Sequence, residues 1–107
     1  MRGNNKKMLI YEITVNVSAE LIEDYEKYMR QQHIPDLLAT EYFVKAYFTR
    51  STENRYRIQY HVHNQKALDD YLEKDAPRLR EDFNSHFPEG IEVFRENWEI
   101  LETFSAK

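Results

Sequence analysis

Four histidines and no cysteine bound the side-chain chemistry open to this chain of 107 residues. With no thiol there is no disulfide, thiolate nucleophile or Cys-based metal site. His33 stands two residues before Pro35 at the end of an amphipathic stretch. An imidazole at such a break can serve a cavity between helix and sheet as a general base or a substrate-orienting group. The simpler role for the same group is to bond helix-end carbonyls at the negative end of the dipole. His61-Val62-His63 sets two imidazoles on one side of a strand, a spacing open to a divalent metal if a third ligand such as Glu12 comes near. Two ligands alone do not make a site, so neither a metal nor another cofactor is expected. Glu12 with Arg57 could be a catalytic carboxylate held by a guanidinium, although a cross-strand ion pair accounts for both residues more simply. His33 is thus the catalytic candidate, and Glu12, Arg57, Gln59 and His61 are the ligand-binding candidates.

These residues need elements to hold them. Leu9, Tyr11, Ile13, Val15 and Val17 alternate with Ile10, Glu12, Thr14 and Asn16, which predicts a first strand with one apolar face. Ser18 is placed to cap a following helix, in which Leu21, Ile22, Tyr25, Tyr28 and Met29 share an arc of about 120°. Pro35 should end its regularity at His33-Ile34, with a short turn over Asp36 to Ala39. Phe43 to Arg50 and Arg55 to His63 read as an antiparallel hairpin around the polar loop 51–54. Asn64 is placed to cap a second helix that kinks or restarts at Pro77, with Asp75 as the new cap. In the last strand, Ile91 to about Glu102, apolar residues sit at odd positions (Ile91, Val93) and then at even ones (Phe94, Trp98, Ile100), which predicts a β-bulge.

The order strand, helix, strand, strand, helix, strand predicts an α+β, ferredoxin-like βαββαβ sandwich: a four-stranded antiparallel sheet with two helices on one face. The other face then carries Ile10, Glu12, Thr14, Arg57, Gln59 and His61, with Lys45, Tyr47 and either Phe43 or Trp98. That mixture is too apolar for plain solvent surface and too charged for a dry core, so a second copy of the sheet is expected on it. Residues 8–104 form one domain, 1–7 a disordered tail and 105–107 a C-terminal tail. The polar, basic start followed by a strand-like alternation suggests a cytoplasmic protein.

Acidic residues outnumber basic ones, 19 to 15, for a net charge of −4, which disfavours nucleic acid and anionic lipid surfaces. The tyrosines Tyr11, Tyr56 and Tyr60 raise the question of base stacking, but they share the parity of the helix-side core. Neither nucleic acid nor a membrane is an expected partner; a homodimer and a small-molecule ligand are.

Leu9 to Val17, Tyr28-Met29-Arg30 leading to His33-Ile34-Pro35-Asp36-Leu37-Leu38-Ala39-Thr40, Ala76-Pro77-Arg78-Leu79-Arg80 and the final Ile100-Leu101-Glu102 together resemble a bacterial domain-of-unknown-function family of about this length. The resemblance spans nearly all of Met8 to Phe104, and the His-Ile-Pro segment is its most specific part. Where that family commonly has Gly after Ala-Thr, this chain has Glu41. The family is similar to the dimeric α+β barrel superfamily, in which two ferredoxin-like protomers pack sheet on sheet. The superfamily includes cofactor-free oxygenases, isomerases and many proteins without an assigned activity. The resemblance therefore implies a fold and a dimer, with a small-ligand or protein-binding module as the first reading and a cofactor-free oxygenase- or isomerase-like enzyme with a pocket near His33 as the alternative.

Overall fold

A computed structural model describes residues 7–51 and 53–107. The expected tail at residues 1–7 therefore lies, apart from Lys7, outside the described residues. The alternation from Leu9 onward forms β1 (Leu9–Val17). A short 3-10 turn, Ala19–Leu21, leads into a helical arm made of α1 (Ile22–Tyr28), a π-helical turn (Met29–His33) and α2 (Ile34–Leu38). The hairpin β2 (Phe43–Arg50) and β3 (Arg55–Val62) follows, then a second arm, α3 (Gln65–Lys74) and α4 (Ala76–His86), and finally β4 (Ile91–Glu99). The sheet order is β2-β3-β1-β4, every pair antiparallel, with the helical arms packed on the side that carries Tyr11, Val15, Tyr56, Ile58 and Tyr60. This is the ferredoxin-like α+β sandwich.

Three local expectations are corrected. Helical regularity is lost not at His33-Ile34 but over Met29–His33, and the arm then runs through Pro35 as α-helix to Leu38. Proline has no N–H and crowds the carbonyl four residues back, so a wider turn just before it absorbs the missing bond; Pro35 itself stands in the first turn of α2, where no N–H is needed. The second correction is the bulge. β4 pairs with β1 in unbroken register from Ile91 opposite Val17 to Glu99 opposite Leu9, and the irregularity lies in β2 between Phe43 and Lys45. Val44 is the extra residue there. It turns Phe43 into the core against Tyr60 and Tyr71 while Lys45 and Tyr47 fall on the open face opposite His61 and Gln59. Trp98, not Phe43, completes that face. Third, the hydroxyl of Ser18 and the carboxylate of Asp75 make no capping bond: backbone carbonyls serve instead, Leu21 N–H donating to Ser18 O at 2.9 Å and Leu79 N–H to Asp75 O at 3.1 Å. The Asp75 carboxylate is taken by Arg78 at 2.8 Å. Asn64 caps α3 as expected, its Oδ1 accepting from Ala67 N–H at 2.8 Å. The turn at Glu41 needs no glycine; the only non-glycine left-handed backbone among the described residues is Glu53, in the hairpin loop.

The core is aromatic. Tyr25 of α1 is fully buried and packs its ring against Tyr56 (5.0 Å between centroids), Phe48, Phe83 and Phe87, joining both helical arms to the hairpin. Beside it Tyr56 Oη donates to Glu26 Oε2 at 2.6 Å, and Arg30 and Arg50 close on the same carboxylate at 3.1 Å each. The Tyr56 bond, more than the two arginines, holds the Glu26 carboxyl below the usual carboxylate range. Tyr60 is also fully buried, but its hydroxyl meets no partner, and burial pushes its ionisation far up. An unpaired buried hydroxyl costs desolvation without return, so Tyr60→Phe is expected to raise stability by about 1 kcal/mol in urea titrations. A loss of stability in that variant would mean the hydroxyl is paired after all.

Candidate functional site

The predicted site residues fall on opposite sides of the sheet. Glu12, Arg57, Gln59 and His61 lie together on the open face. Gln59 Nε2 donates to Glu12 Oε1 at 3.0 Å, Arg57 Nε stands 3.8 Å from Glu12 Oε2, and His61 meets Tyr47 edge-on at 5.6 Å between ring centroids. Partial burial, and then the Lys45 ammonium, lower the His61 pKa. His63 lies beyond the end of β3, its N–H donating to Tyr42 O at 3.3 Å. Among the described residues no group of three or more His, Asp or Glu is gathered where a metal could sit, and Glu12 is committed to Gln59 and Arg57.

His33 is on the helical side, the last residue of the π-helical turn. The wider turn swings its ring inward, where it stacks on Tyr28 (5.7 Å, 28°) and packs against Phe83 at 5.5 Å. Tyr28 is itself fixed by Asp82, to which its hydroxyl donates at 2.6 Å, with Gln32 donating to the same carboxylate oxygen at 3.1 Å. His33 borders a cleft between the helical arms and strands β1 and β4, floored by Ile13 and Val93 and walled by Met29, Phe83 and Arg80. The cavity volume is about 40 Å³, or about 380 Å³ counting the space open at its mouth. The smaller figure is room for a few water-sized atoms, so the closed part is a narrow slot. The cleft explains why Ile13, in the middle of the sheet on its helix-facing side, is only half-buried.

Three residues that line this cleft carry polar atoms without partners. His33 Nδ1, Tyr25 Oη and Arg80 Nε are all buried without a hydrogen bond to protein, and all three residues line it. Buried polar groups are paired in the great majority of cases, so three unpaired ones on residues around one cavity set it apart from the rest of the core. Burial lowers the His33 pKa to about 4; the Asp82 carboxylate opposes this and the Arg95 guanidinium adds to it. The ring is therefore neutral at pH 7. Arg80 Nη2 donates to Tyr11 Oη at 2.9 Å, and Arg95, on edge strand β4, stands at the mouth.

Arg80 and Arg95 were missed as site residues, although both leave a trace in the sequence. Arg80 lies at the margin of the apolar arc of its helix, about 60° from Phe83. Arg95 shares the parity of Ile91 and Val93. The reading of a bulge in β4 turned it away from the helices; the regular register turns it toward them.

Fold and cleft together define a ferredoxin-like domain with a half-open pocket between its sheet and its helices. The chain belongs to the family described as Domain of unknown function (DUF4286), whose model matches residues 8–101. No protein with a curated description matches it. Solved structures similar to it include a conserved protein of unknown function and possible oxidoreductase from Bacteroides thetaiotaomicron, 18% identical over 89% of this chain and 99% of that one, with a TM-score of 0.69. A dimeric ferredoxin-like protein from an uncultured marine organism is 9% identical over 92% of this chain and 99% of that one, TM-score 0.69. The heme-degrader MhuD from Mycobacterium tuberculosis, whose structure has two hemes in its active site, is 12% identical over 91% of this chain and 99% of that one, TM-score 0.67. At such identities the likeness is one of fold.

Proposed function

We propose that this protein is a cytoplasmic homodimeric α+β barrel module that binds a small molecule in the cleft beside His33. The observation that carries the ligand site is the set of three unpaired buried polar atoms, His33 Nδ1, Tyr25 Oη and Arg80 Nε, around one apolar slot. The dimer is supported by the open sheet face, where Tyr47, Phe94 and Trp98 are about half exposed beside the Glu12–Gln59 pair. A two-fold copy of the same patch is the commonest cover for such a face, and a structure of the same fold is described as dimeric. Among the described residues no helix is long and apolar enough to cross a membrane.

The enzyme reading, a cofactor-free oxygenase- or isomerase-like activity, draws on the neutral imidazole of His33, which can accept a proton. It ranks second for a physical reason: a general base works best with a pKa near the operating pH, and one near 4 is a weak base at pH 7.

Thermal-shift screening of the full chain against a library of small flat compounds tests the site. Some compounds should raise the melting temperature in a concentration-dependent way. The same compounds should lose their effect in Ile13→Phe, which fills the floor of the cleft. Hits that act equally on that variant would remove the cleft as the ligand site.

A further inference from the structure

The chain is acidic overall, and several of its arginines have counter-charges: Arg30 and Arg50 sit on Glu26, Arg57 near Glu12 and Arg78 on Asp75. Arg80 and Arg95 differ. Among the described residues neither has a carboxylate oxygen within 4.0 Å, and both line the cleft. Arg80 is oriented by Tyr11 through Nη2, which leaves Nε buried and unpaired, while Arg95 is exposed at the mouth. Both residues line the same cleft, and both guanidinium charges act on the Tyr71 hydroxyl. Two cations sharing a partly desolvated site repel one another, and an anion placed between them relieves the repulsion. The planar fork of a guanidinium matches the two oxygens of a carboxylate. Much of the rest of the narrow slot is apolar, with Ile13, Met29, Phe83 and Val93 as walls and Asn84, Tyr25 and His33 as its other polar residues. Such apolar walls suit a flat hydrocarbon body.

We propose, resting on the reading of this cleft as the ligand site, that its occupant is a flat organic monoanion, an aromatic or conjugated carboxylate, bound with its carboxylate on Arg80 and Arg95 and its apolar body between the sheet and the helical arms. Tyr25 Oη and His33 Nδ1 then face the body of the ligand and can pair with a polar substituent on it.

Benzoate and benzamide serve as probes, since they share one shape and differ by the charge. Each is titrated into the isotope-labelled full chain and followed by amide NMR shifts. Benzoate should move the signals of Ile13, His33 and Val93 and bind at least tenfold more tightly than benzamide, the scale of one charge-assisted hydrogen bond. Arg95→Gln changes an exposed side chain with no carboxylate partner, so the fold should be retained, and it should cut the acid-to-amide preference severalfold. Arg80→Gln should bring that preference close to one without weakening benzamide. Equal binding of the two probes at the cleft would overturn the anion assignment and leave the cleft as a ligand site. Shifts confined to other surfaces, or none, would overturn both.

Discussion

Trp98→Glu should convert a two-chain assembly into single chains. Trp98 is opposite Ile10 across the β1–β4 pair, and Phe94 is opposite Thr14, so the two large rings lie on the same open face of the sheet. If that face meets its two-fold copy, a glutamate at position 98 is buried twice, on the same face as Glu12 and Glu96, which already face each other across the same strands. An unpaired carboxylate in an interface costs about 3 to 5 kcal/mol, a weakening of at least a hundredfold. Sedimentation equilibrium at micromolar protein should give twice the 13.0 kDa chain mass for the parent and the single mass for the variant. Circular dichroism should be unchanged, because Trp98 is about half exposed and contributes little to the core of its own chain. A parent that is monomeric at that concentration, or a variant that remains paired, would remove the sheet-on-sheet assembly.

The second large effect is a loss of stability in mild acid that belongs to His33. Its folded pKa, about 4, lies below the ordinary 6.5, with burial as the first cause. Between these values the unfolded chain holds a proton that the folded chain does not, so stability is complete above about pH 6.5, declines as the pH falls, and levels near pH 4. From pH 7.5 to 4.5 the loss should be about 2 to 3 kcal/mol. The other groups facing the ring are Asp82, Arg95 and Tyr28. Glu26 also contributes an acid loss, since its folded pKa is lowered and its stabilisation disappears as it protonates. Comparing urea unfolding of the parent with His33→Gln at both pH values isolates the imidazole, because Glu26 is common to both. The parent should lose about 2 to 3 kcal/mol more than the variant. Parallel losses would mean that the ring titrates normally and is not buried in the cleft.

The architecture was legible in the sequence because the sheet alternates with period two and the helices carry one apolar arc, both consequences of burying a single face. The open-face group of Glu12, Arg57, Gln59 and His61 was legible for the same reason, since parity on paired strands carries directly into neighbourhood. Local rules were less decisive where two of them competed. Pro35 forbids an ordinary helical bond but does not say whether the helix stops or widens; packing of Leu37, fully buried, kept it going. In β4 the switch from odd to even apolar positions has two explanations, a bulge or a strand apolar on both faces at different points. Only pairing with β1 selects the second, with Ile91 and Val93 under the helices and Phe94 and Trp98 open. That choice also decides where Arg95 points.

By itself, the sequence determined the fold class, the element order and the sidedness of each strand, because these follow from periodic burial within single elements. Tertiary structure alone decided the cleft. It exists where β1, β4 and the two helical arms fail to close over Ile13, and it gathers Tyr25, His33, Arg80 and Arg95 from separate elements of the chain. No periodicity encodes a gap between elements: it depends on how far apart they pack and on which polar atoms that packing leaves unpaired.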